Sequence, residues 1–374
     1  MLGDAYDAGT RVVAVVSAMG STTDELVQLA RTVAARPRPR ELDMLLASGE
    51  SVSTGLLALA LGELGYDAVA LNGAQAGIRT DSVHGRARIV EVDAERVRSA
   101  LDDGKLVLVT GFQGVSPGGD VTTLGRGGSD ATAVALAAAL VARCLIYTDV
   151  DGVYTADPRR VPRARKLELL DYEEMLELAG AGARVLQPRA VELARAYGVE
   201  LEVRSAFADR AGTSVKATRG ETMFEQTVVA AVAQIDDEDL YAVESVSSSR
   251  LAASLAEGEV AVDTLVRRGR EVYFAAPSSD HDELAAILER LEAPYVVRDG
   301  FGRVTVVGSG IGSNPRVVAL ILGVLEESGI EPELVVTSPT RLACHVASED
   351  LDRAAEILHE RLGLHDGAAA QAGV

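Results

Sequence analysis

Thr122-Thr-Leu-Gly-Arg-Gly-Gly-Ser-Asp130 joins a short β-type run to a long Ala-rich segment of helical character. Gly127 and Gly128 allow the backbone to approach a ligand closely, and Ser129 stands at the predicted start of the helix. Exposed amides at the positive end of a helix form an anion site. Arg126 adds a guanidinium that binds a carboxylate or a phosphate through two hydrogen bonds. The alternative is a tight strand-to-helix turn capped by Ser129.

The residues around this stretch alternate between short β-branched runs and helical patterns. This alternation predicts an α/β fold with a mainly parallel sheet sandwiched by helices, and such sheets bind ligands beyond the carboxyl ends of their strands. Strands are predicted at 11–17, 68–71, 106–110, 145–148 and 201–204, and helices at about 41–63 with a break or bend near Gly49, 94–102, 129–143, 172–178 and 186–196.

The second half of the chain has a different organisation. Residues 208–222 are polar and rich in Gly, Ser and Thr, which indicates a domain boundary. Beyond them, two shorter units each show the order strand, helix, strand, strand, helix, which is typical of the ferredoxin-like α+β arrangement. The predicted division is an α/β domain at 1–207, a linker at 208–235, the two α+β units at 236–300 and 301–364, and a disordered tail at 365–374.

The composition argues against several classes of partner. Lys and Arg number 36 against 56 Asp and Glu, for a formal charge of −20, and so acidic a surface repels nucleic acids and anionic membranes. Cys144 and Cys344 lie far apart in apolar segments and are expected to be reduced thiols. The chain shows no secretion signal, no uninterrupted apolar run of about 18 residues and no zinc-like His spacing. We therefore expect a soluble cytoplasmic protein with no metal site built from its side chains alone.

A second polar stretch, Tyr147-Thr-Asp-Val-Asp-Gly-Val-Tyr-Thr-Ala-Asp-Pro-Arg159, follows a predicted strand. It offers hydroxyl and carboxylate acceptors, the flat face of Tyr154 and the cation of Arg159, in a loop that Pro158 restrains. Adenosine and its phosphates need this mix of groups. An Asx-rich surface turn, which is common, is the alternative.

Ala47-Ser-Gly-Glu50 places a carboxylate inside an otherwise apolar helical stretch. A buried carboxylate needs a partner, because an unpaired buried charge is costly. We predict that Glu50 receives the ammonium group of a substrate. A glutamate on the surface of the helix is the alternative.

The chain carries five ordered motifs: VSAMGSTTDEL from Val16, ELDMLLASGE from Glu41, GFQGV from Gly111, TTLGRGGSD from Thr122 and YTDVDGVYTADPR from Tyr147. Collinear over about residues 10–215, they resemble the successive signatures of the aspartate kinases, a group within the amino-acid kinase family. The segments 329–338 and 341–346 are similar to the second ACT domain of the same enzymes. The resemblance implies an amino-acid-kinase-like domain followed by two ferredoxin-like ACT units, the first of them degenerate.

The resemblance also implies a reaction, in which a homodimer paired through its ACT units transfers the γ-phosphate of ATP to the β-carboxylate of L-aspartate. Mg²⁺ would assist, and the product would serve lysine and threonine biosynthesis. The implied aspartate-binding residues are Ser17, Thr23, Glu50, Arg126, Gly127, Gly128 and Ser129. The implied ATP-binding residues are Thr148, Asp149, Tyr154, Thr155, Ala156, Asp157, Pro158, Arg159 and Arg184. The implied catalytic residues are Asp130, which would organise the cations, Arg126 and Arg184.

Three departures from the family pattern bear on activity. The family opens with a strand that ends in Lys-x-Gly-Gly and holds phosphates; nothing here corresponds, and we expect such a segment to precede Met1 in the natural protein. Arg184 stands where the family has a later lysine, which keeps the charge in a bulkier group. The first ACT-like unit lacks the usual Pro-Gly turn and effector strand, so weakened feedback inhibition is expected.

Three functions are therefore open. The leading hypothesis is an aspartate kinase. A second is a kinase of the same fold that acts on glutamate or acetylglutamate, although Glu50 together with Arg126 favours a substrate with a free ammonium and a free α-carboxylate. A third is a catalytically impaired paralogue or regulatory subunit that binds an amino acid through its ACT units.

Overall fold

A computed structural model describes residues 1–183, 185–218, 228–258, 260, 262–365 and 370–371. The chain forms two compact units. The first unit consists of Met1–Asp151, Leu169–Tyr172 and Arg184–Ala217, and the second unit of Gly152–Glu168, Glu173–Ala183 and Thr218–Val374.

The helices and strands agree with the predicted alternation and add several short strands. The helices are α1 (Leu2–Asp7), α2 (Thr22–Val33), α3 (Pro39–Glu63), α4 (Glu95–Asp102), α5 (Gly128–Leu140), α6 (Tyr172–Gly180), α7 (Pro188–Tyr197), α8 (Ser248–Glu257), α9 (His281–Arg290), α10 (Pro315–Glu327) and α11 (Leu351–Arg361). The strands are β1 (Val13–Val16), β2 (Ala68–Leu71), β3 (Ile78–Thr80), β4 (Ile89–Val92), β5 (Leu106–Thr110), β6 (Gln113–Val115), β7 (Val121–Thr123), β8 (Cys144–Thr148), β9 (Leu169–Leu170), β10 (Leu201–Ser205), β11 (Thr213–Val215), β12 (Val228–Glu244), β13 (Leu265–Arg268), β14 (Glu271–Pro277), β15 (Tyr295–Ser309), β16 (Leu334–Ser338), β17 (Arg341–Ala347) and β18 (Ala370–Gln371).

The first unit is built around a parallel sheet with the strand order β1-β5-β2. Side chains of a strand alternate between the two faces of its sheet. Val107 and Val109 of β5 pack on one face with α4 and α5, while Leu106 and Leu108 pack on the other with α1 and α3. Because both faces are covered, the central strand is apolar from Leu106 to Val109, and the predicted sandwich of sheet and helices is confirmed.

The first unit has two further sheets in place of the single sheet that the alternation predicts. One has the order β8-β10-β11-β9, with β8 parallel to β10 and β11 antiparallel to it; the other is a small sheet of order β4-β3-β6-β7. Among the described residues, β1 and β8 each have one edge that no strand pairs. The strands of the small sheet have three or four residues each, and segments so short carry little periodicity.

Helix α3 is continuous, so the predicted break near Gly49 is wrong. Gly49 serves a different purpose: a Cβ atom there would lie 3.1 Å from the Cβ of Ala18, so glycine makes room for the loop after β1. By length and composition alone α3 could cross a membrane, a test that core helices also pass. Its buried face carries Asp43 and Glu50, both hydrogen-bonded to neighbouring loops, as in a helix packed within a protein.

The second unit holds a seven-stranded sheet of order β13-β14-β12-β15-β17-β16, with β18 beside β12. Its elements follow the predicted ferredoxin-like order twice. The structure differs from the predicted linker, because residues 228–235 form the first half of β12 and pair with residues 303–309 of β15. The second ferredoxin-like group has only three strands of its own (the second half of β15, β16 and β17), so β12 supplies the fourth, with Val229 and Val232 in the shared core.

The structure also differs from the predicted disordered tail, and it describes only part of the predicted linker. In place of a wholly disordered tail at 365–374, Ala370–Gln371 forms β18 and pairs with Val228–Val229. Within the predicted linker, Thr213–Val215 also forms a strand, β11, which pairs with β10 of the first unit. Residues 219–227 of the predicted linker, and residues 366–369 and 372–374 of the tail, lie outside the described residues. The boundaries of the predicted domains stay predictions.

Candidate active site

The carboxyl ends of β1 and β5 lie side by side in the first unit. The register pairs Val16 with Thr110, and the N–H of Gly111 donates a hydrogen bond of 2.9 Å to the carbonyl of Val16. The residues that follow the two strands, Ser17-Ala18 and Gly111-Phe112, therefore leave the sheet at the same edge. This edge is where parallel sheets bind ligands.

Glu50 of α3 is buried, with 3% of its surface exposed. Its Oε1 accepts a hydrogen bond of 3.2 Å from the N–H of Ala18, whereas Oε2 has no hydrogen-bond partner among the described residues. Burial raises the pKa of Glu50, and the N–H of Ala18 opposes this effect. The alternative of a surface glutamate is wrong. A buried carboxylate with one unmet oxygen fits a cationic ligand, because pairing offsets its desolvation.

The glycine-rich turn has a backbone that only glycine adopts easily. Gly125 and Gly127 have φ angles of +77° and +68°, and α5 begins directly after Gly127. A Cβ atom at Gly127 would lie 1.9 Å from the Cγ of Gln187, and one at Gly128 would lie 2.9 Å from the Cβ of Leu124. Side chains of the protein therefore pack closely against the turn at both glycines, and the predicted approach of a ligand to Gly127 and Gly128 stays a prediction.

Ser129 and Asp130 form the first turn of α5. A Cβ atom on Gly111 would lie 2.5 Å from the Oγ of Ser129, so the glycine admits Ser129 to the end of β5. Asp130 is half-buried and accepts a hydrogen bond from the backbone of Gln187. Burial raises the pKa of Asp130, against the effect of that hydrogen bond. The contacts therefore run from Glu50 to the loop after β1, from the end of β1 to Gly111, and from Gly111 to Ser129 at the start of α5.

Three predicted aspartate-binding residues lie at exposed or half-exposed positions of this edge. Arg126 is exposed, and its guanidinium has no ion-pair or hydrogen-bond partner among the described residues. Ser17 is exposed directly after β1, and Thr23 is half-buried in the first turn of α2. These side chains are accessible to a ligand.

The predicted ATP-binding residues divide between the two units. Thr148 and Asp149 follow β8 in the first unit, where the Thr148 hydroxyl donates a hydrogen bond of 3.1 Å to Asp149. Tyr154 and residues 155–159 belong to the second unit. Arg184 lies outside the described residues.

Within the second unit, two of these side chains are occupied by packing. The Thr155 hydroxyl is buried and shares a hydrogen bond of 2.8 Å with His359, and Ala156 lies in an apolar core with Val161. Asp157 accepts two hydrogen bonds from the Arg159 guanidinium, at 3.0 and 2.8 Å, and this contact lowers the pKa of Asp157. Pro158 is exposed. Asp157 and Arg159 are therefore the charged side chains of this segment that remain at least partly exposed.

Asp43 is a buried residue of this region that the sequence reasoning missed. Its carboxylate accepts hydrogen bonds from the Thr123 hydroxyl and the Gly85 N–H and lies 2.7 Å from the Nδ1 of His84. These contacts fix α3 to β7, the strand that leads into the glycine-rich turn. A signal was available, because Asp43 precedes Glu50 by seven residues and so shares its side of the helix.

Arg189 of α7 is a second residue that the sequence reasoning missed. Its guanidinium donates hydrogen bonds of 2.7 Å to the carbonyl of Leu124 and 2.8 Å to that of Ala87. Leu124 immediately precedes the glycine-rich turn, so Arg189 holds the turn at its base. A single arginine after Pro188 carries no sequence pattern that predicts this role.

No group of three or more His, Cys, Asp or Glu side chains in the described part of the chain is arranged to hold a metal ion. Asp130 places a carboxylate beside the glycine-rich turn, and Mg²⁺ is commonly held by one or two carboxylates together with substrate phosphates. Such an ion would therefore be bound jointly by the protein and a nucleotide.

The model of the amino acid kinase family matches residues 2–205, and an ACT domain model matches residues 304–362. The chain is 46% identical to the aspartokinase of Geobacillus stearothermophilus, over 97% of this chain and 91% of that one. It is 44% identical to the aspartokinase of Corynebacterium glutamicum, over 98% of this chain and 92% of that one. The chain belongs to the aspartokinases of the amino acid kinase family.

Solved structures of aspartokinases agree with this family membership. Escherichia coli aspartokinase III, solved in complex with aspartate and ADP, superimposes with a TM-score of 0.77 at 29% identity, over 91% of this chain and 79% of that one. The same enzyme in complex with lysine and aspartate gives a TM-score of 0.75. The predicted resemblance to the aspartate kinases is confirmed, and so is the predicted fold class.

Proposed function

We propose that this aspartokinase chain transfers the γ-phosphoryl group of ATP to the β-carboxylate of L-aspartate, which yields 4-phospho-L-aspartate and ADP. The observation that carries the proposal is the unmet Oε2 of buried Glu50 at the edge where the glycine-rich turn begins α5. A site that joins a desolvated carboxylate to an anion-binding turn suits a molecule with both an ammonium and a carboxylate.

In this proposal, aspartate binds through its two α-substituents. Glu50 pairs with the ammonium, and Arg126 and Ser129 bind the α-carboxylate, with Ser17 and Thr23 as further hydrogen-bond donors. The β-carboxylate then lies near the backbone of Gly127-Gly128 at the start of α5, where the N–H groups of a helix N-terminus favour the γ-phosphate. One carboxylate oxygen forms a bond to phosphorus while the bond from phosphorus to the ADP oxygen breaks.

The nucleotide is held by Thr148 and Asp149 and by the segment from Tyr154 to Arg159, with Arg184 supplying charge to the phosphates. Mg²⁺, when bound, neutralises phosphate oxygens, and Asp130 is the residue that would hold it. Phosphoryl transfer needs positioning and charge neutralisation more than covalent work by the protein. The arginines of the site therefore carry much of the function in a chain whose formal charge is −20.

The same proposal includes a cytoplasmic homodimer paired through its ACT units, with weakened feedback inhibition. Sheet extension across subunits is the expected mode of pairing, and the departures of the first ACT-like unit support the weakened inhibition. Sedimentation of the purified chain, with and without lysine plus threonine, tests the dimer, and assays with the same effectors test the inhibition.

The reaction itself is tested by trapping the acyl phosphate with hydroxylamine. Purified chain is incubated with ATP and Mg²⁺ and with aspartate, glutamate or acetylglutamate in turn. We expect ATP-dependent hydroxamate with aspartate and none above background with acetylglutamate, which lacks the ammonium that Glu50 would bind. Hydroxamate from acetylglutamate but not from aspartate would contradict the proposal.

A further inference from the structure

The segment Gly152–Glu168 is part of the second unit, together with the ferredoxin-like strands and helices. This segment contains Thr155–Arg159, which we propose to bind ATP. One of the segments proposed to contact the nucleotide is thus built into the same compact unit as the ACT-like elements. The contacts that hold this segment in place therefore determine how it is presented to ATP.

Thr155 is held by several hydrogen bonds within the second unit. Its N–H donates to the carbonyl of Arg165 at 2.8 Å, and its hydroxyl accepts from the N–H of Arg165 at 2.9 Å. Its carbonyl accepts from the N–H of Val232 in β12 at 2.8 Å, and its hydroxyl lies 2.8 Å from the Nε2 of His359 in α11. Backbone and side chain alike are held by elements of the same unit.

His359 has 1% of its surface exposed and faces Thr155 from the last turn of α11. Burial lowers the pKa of His359 to about 4, and His365, Arg163 and Arg165 act in the same direction. The imidazole is therefore neutral in the physiological range and has one nitrogen to donate and one to accept. It serves as a hydrogen-bonding group rather than as a charge.

Further contacts attach the same segment to α11 and β12. The Arg160 guanidinium pairs with Asp236 at 2.9 Å and also with Asp352 at the start of α11. Arg165 donates to the carbonyl of Leu364 at 3.2 Å. The segment therefore moves with α11 if α11 moves.

We propose that His359 is a positioning residue for the nucleotide: through its hydrogen bond to Thr155 it holds the segment that presents Asp157 and Arg159 to ATP. This inference rests on the proposed kinase function and adds a residue of the ACT-like part to it. His359 does not touch the substrates. Its loss would change the affinity for ATP and leave the affinity for aspartate as it was, because Glu50 and α5 belong to the first unit.

The test compares His359→Leu, which removes the hydrogen bond at similar volume, with His359→Gln, whose amide nitrogen can replace Nε2. His345→Gln is the matched control, since His345 is also 1% exposed and lies in β17 of the same unit. We expect His359→Leu to raise the KM for ATP about fivefold, the size of one hydrogen bond, with the KM for aspartate unchanged. His359→Gln should stay within about twofold of the parent, and His345→Gln should leave the KM for ATP unchanged.

A second pair of variants covers the case in which His359→Leu does not fold. Thr155→Val removes the hydroxyl that bonds His359, and Thr155→Ser keeps it, so Thr155→Val should raise the KM for ATP clearly more than Thr155→Ser does. An unchanged KM for ATP in a folded His359→Leu or Thr155→Val variant overturns the inference. So does an equal rise of both KM values, because that indicates general loss of structure.

The two proposals fail in different ways. If the parent chain forms aspartyl hydroxamate and the variants do not alter its use of ATP, only the role of His359 is wrong. If the parent chain gives no turnover, equilibrium dialysis with ATP and Mg²⁺ replaces the KM values: weaker binding by His359→Leu supports the inference. No binding by the parent overturns it together with the proposed function.

Discussion

Two buried carboxylates of α3, seven residues apart, differ in what surrounds them. Asp43 is bonded by the Thr123 hydroxyl and the Gly85 N–H and paired with His84, whereas Glu50 receives one N–H and keeps Oε2 without a partner among the described residues. Both are almost fully buried. In our proposal, it is the unmet hydrogen-bonding capacity of Glu50, rather than its burial, that distinguishes it as a binding residue from the structural Asp43.

The largest expected effect is on the structural side of this comparison. Asp43→Asn replaces a carboxylate that accepts several hydrogen bonds by an amide. The NH₂ group of the amide would face the N–H of Gly85 or the hydroxyl of Thr123, both of which are donors. Breaking a buried, charged network costs about 3 kcal/mol or more, and urea unfolding should show this loss. Glu41→Gln on the exposed side of the same helix is the control and should change the unfolding free energy by less than about 0.5 kcal/mol. Equal stability of the two variants would remove the structural role of Asp43.

A smaller effect is expected from removing one donor to Asp43. Thr123→Val keeps the shape of the side chain and deletes the hydroxyl that bonds the carboxylate. Hydrogen bonds to charged groups contribute about 1.5–3 kcal/mol, so unfolding by urea should show a loss in this range. Thr123→Ser, which keeps the hydroxyl, should lose clearly less. If Thr123→Val and Thr123→Ser lower the free energy of unfolding equally, the packing of the side chain rather than its hydrogen bond determines the stability.

The smallest effect, of opposite sign, is expected at Glu50. Because burial raises the native pKa of Glu50, the native state holds the proton more tightly than the unfolded state. The stability that this proton contributes is present below the ordinary glutamate pKa and is lost as pH rises through the raised native pKa. Glu50→Gln should therefore raise the unfolding free energy at pH 8 by about 0.5–1 kcal/mol and leave it unchanged at pH 4. A loss of stability at pH 8 would show that Glu50 is satisfied within the protein.

The sequence predicted the parts of the fold that depend on local periodicity. Strands such as β5 and helices such as α4 and α5 lie where their apolar patterns place them, and the double ferredoxin-like order is present. The role of residues 228–235 could not be predicted, because a strand that completes a sheet with partners some 75 residues later leaves no local signal. The short strands of the small sheet were missed for lack of length.

The candidate site was predicted in composition but not in detail. The sequence singled out Glu50 and the glycine-rich turn as candidates, because a charged residue within an apolar helical stretch and a pair of adjacent glycines can be recognised from the sequence alone. Asp43 looks like Glu50 in sequence, and only the partners supplied by Thr123 and Gly85 distinguish the two. Thr155 was predicted from resemblance to bind ATP, but the sequence gives no sign that His359 occupies its hydroxyl.

The most direct test of the central claim, that the open carboxylate of Glu50 binds the substrate ammonium, compares aspartate with succinate, which lacks that group. Parent chain, Glu50→Gln and Glu41→Gln are assayed for kcat/KM with both acids. We predict that Glu50→Gln loses about 10²-fold with aspartate and far less with succinate, while Glu41→Gln matches the parent. Full activity of Glu50→Gln with aspartate, or an equal loss with both acids, would contradict the account.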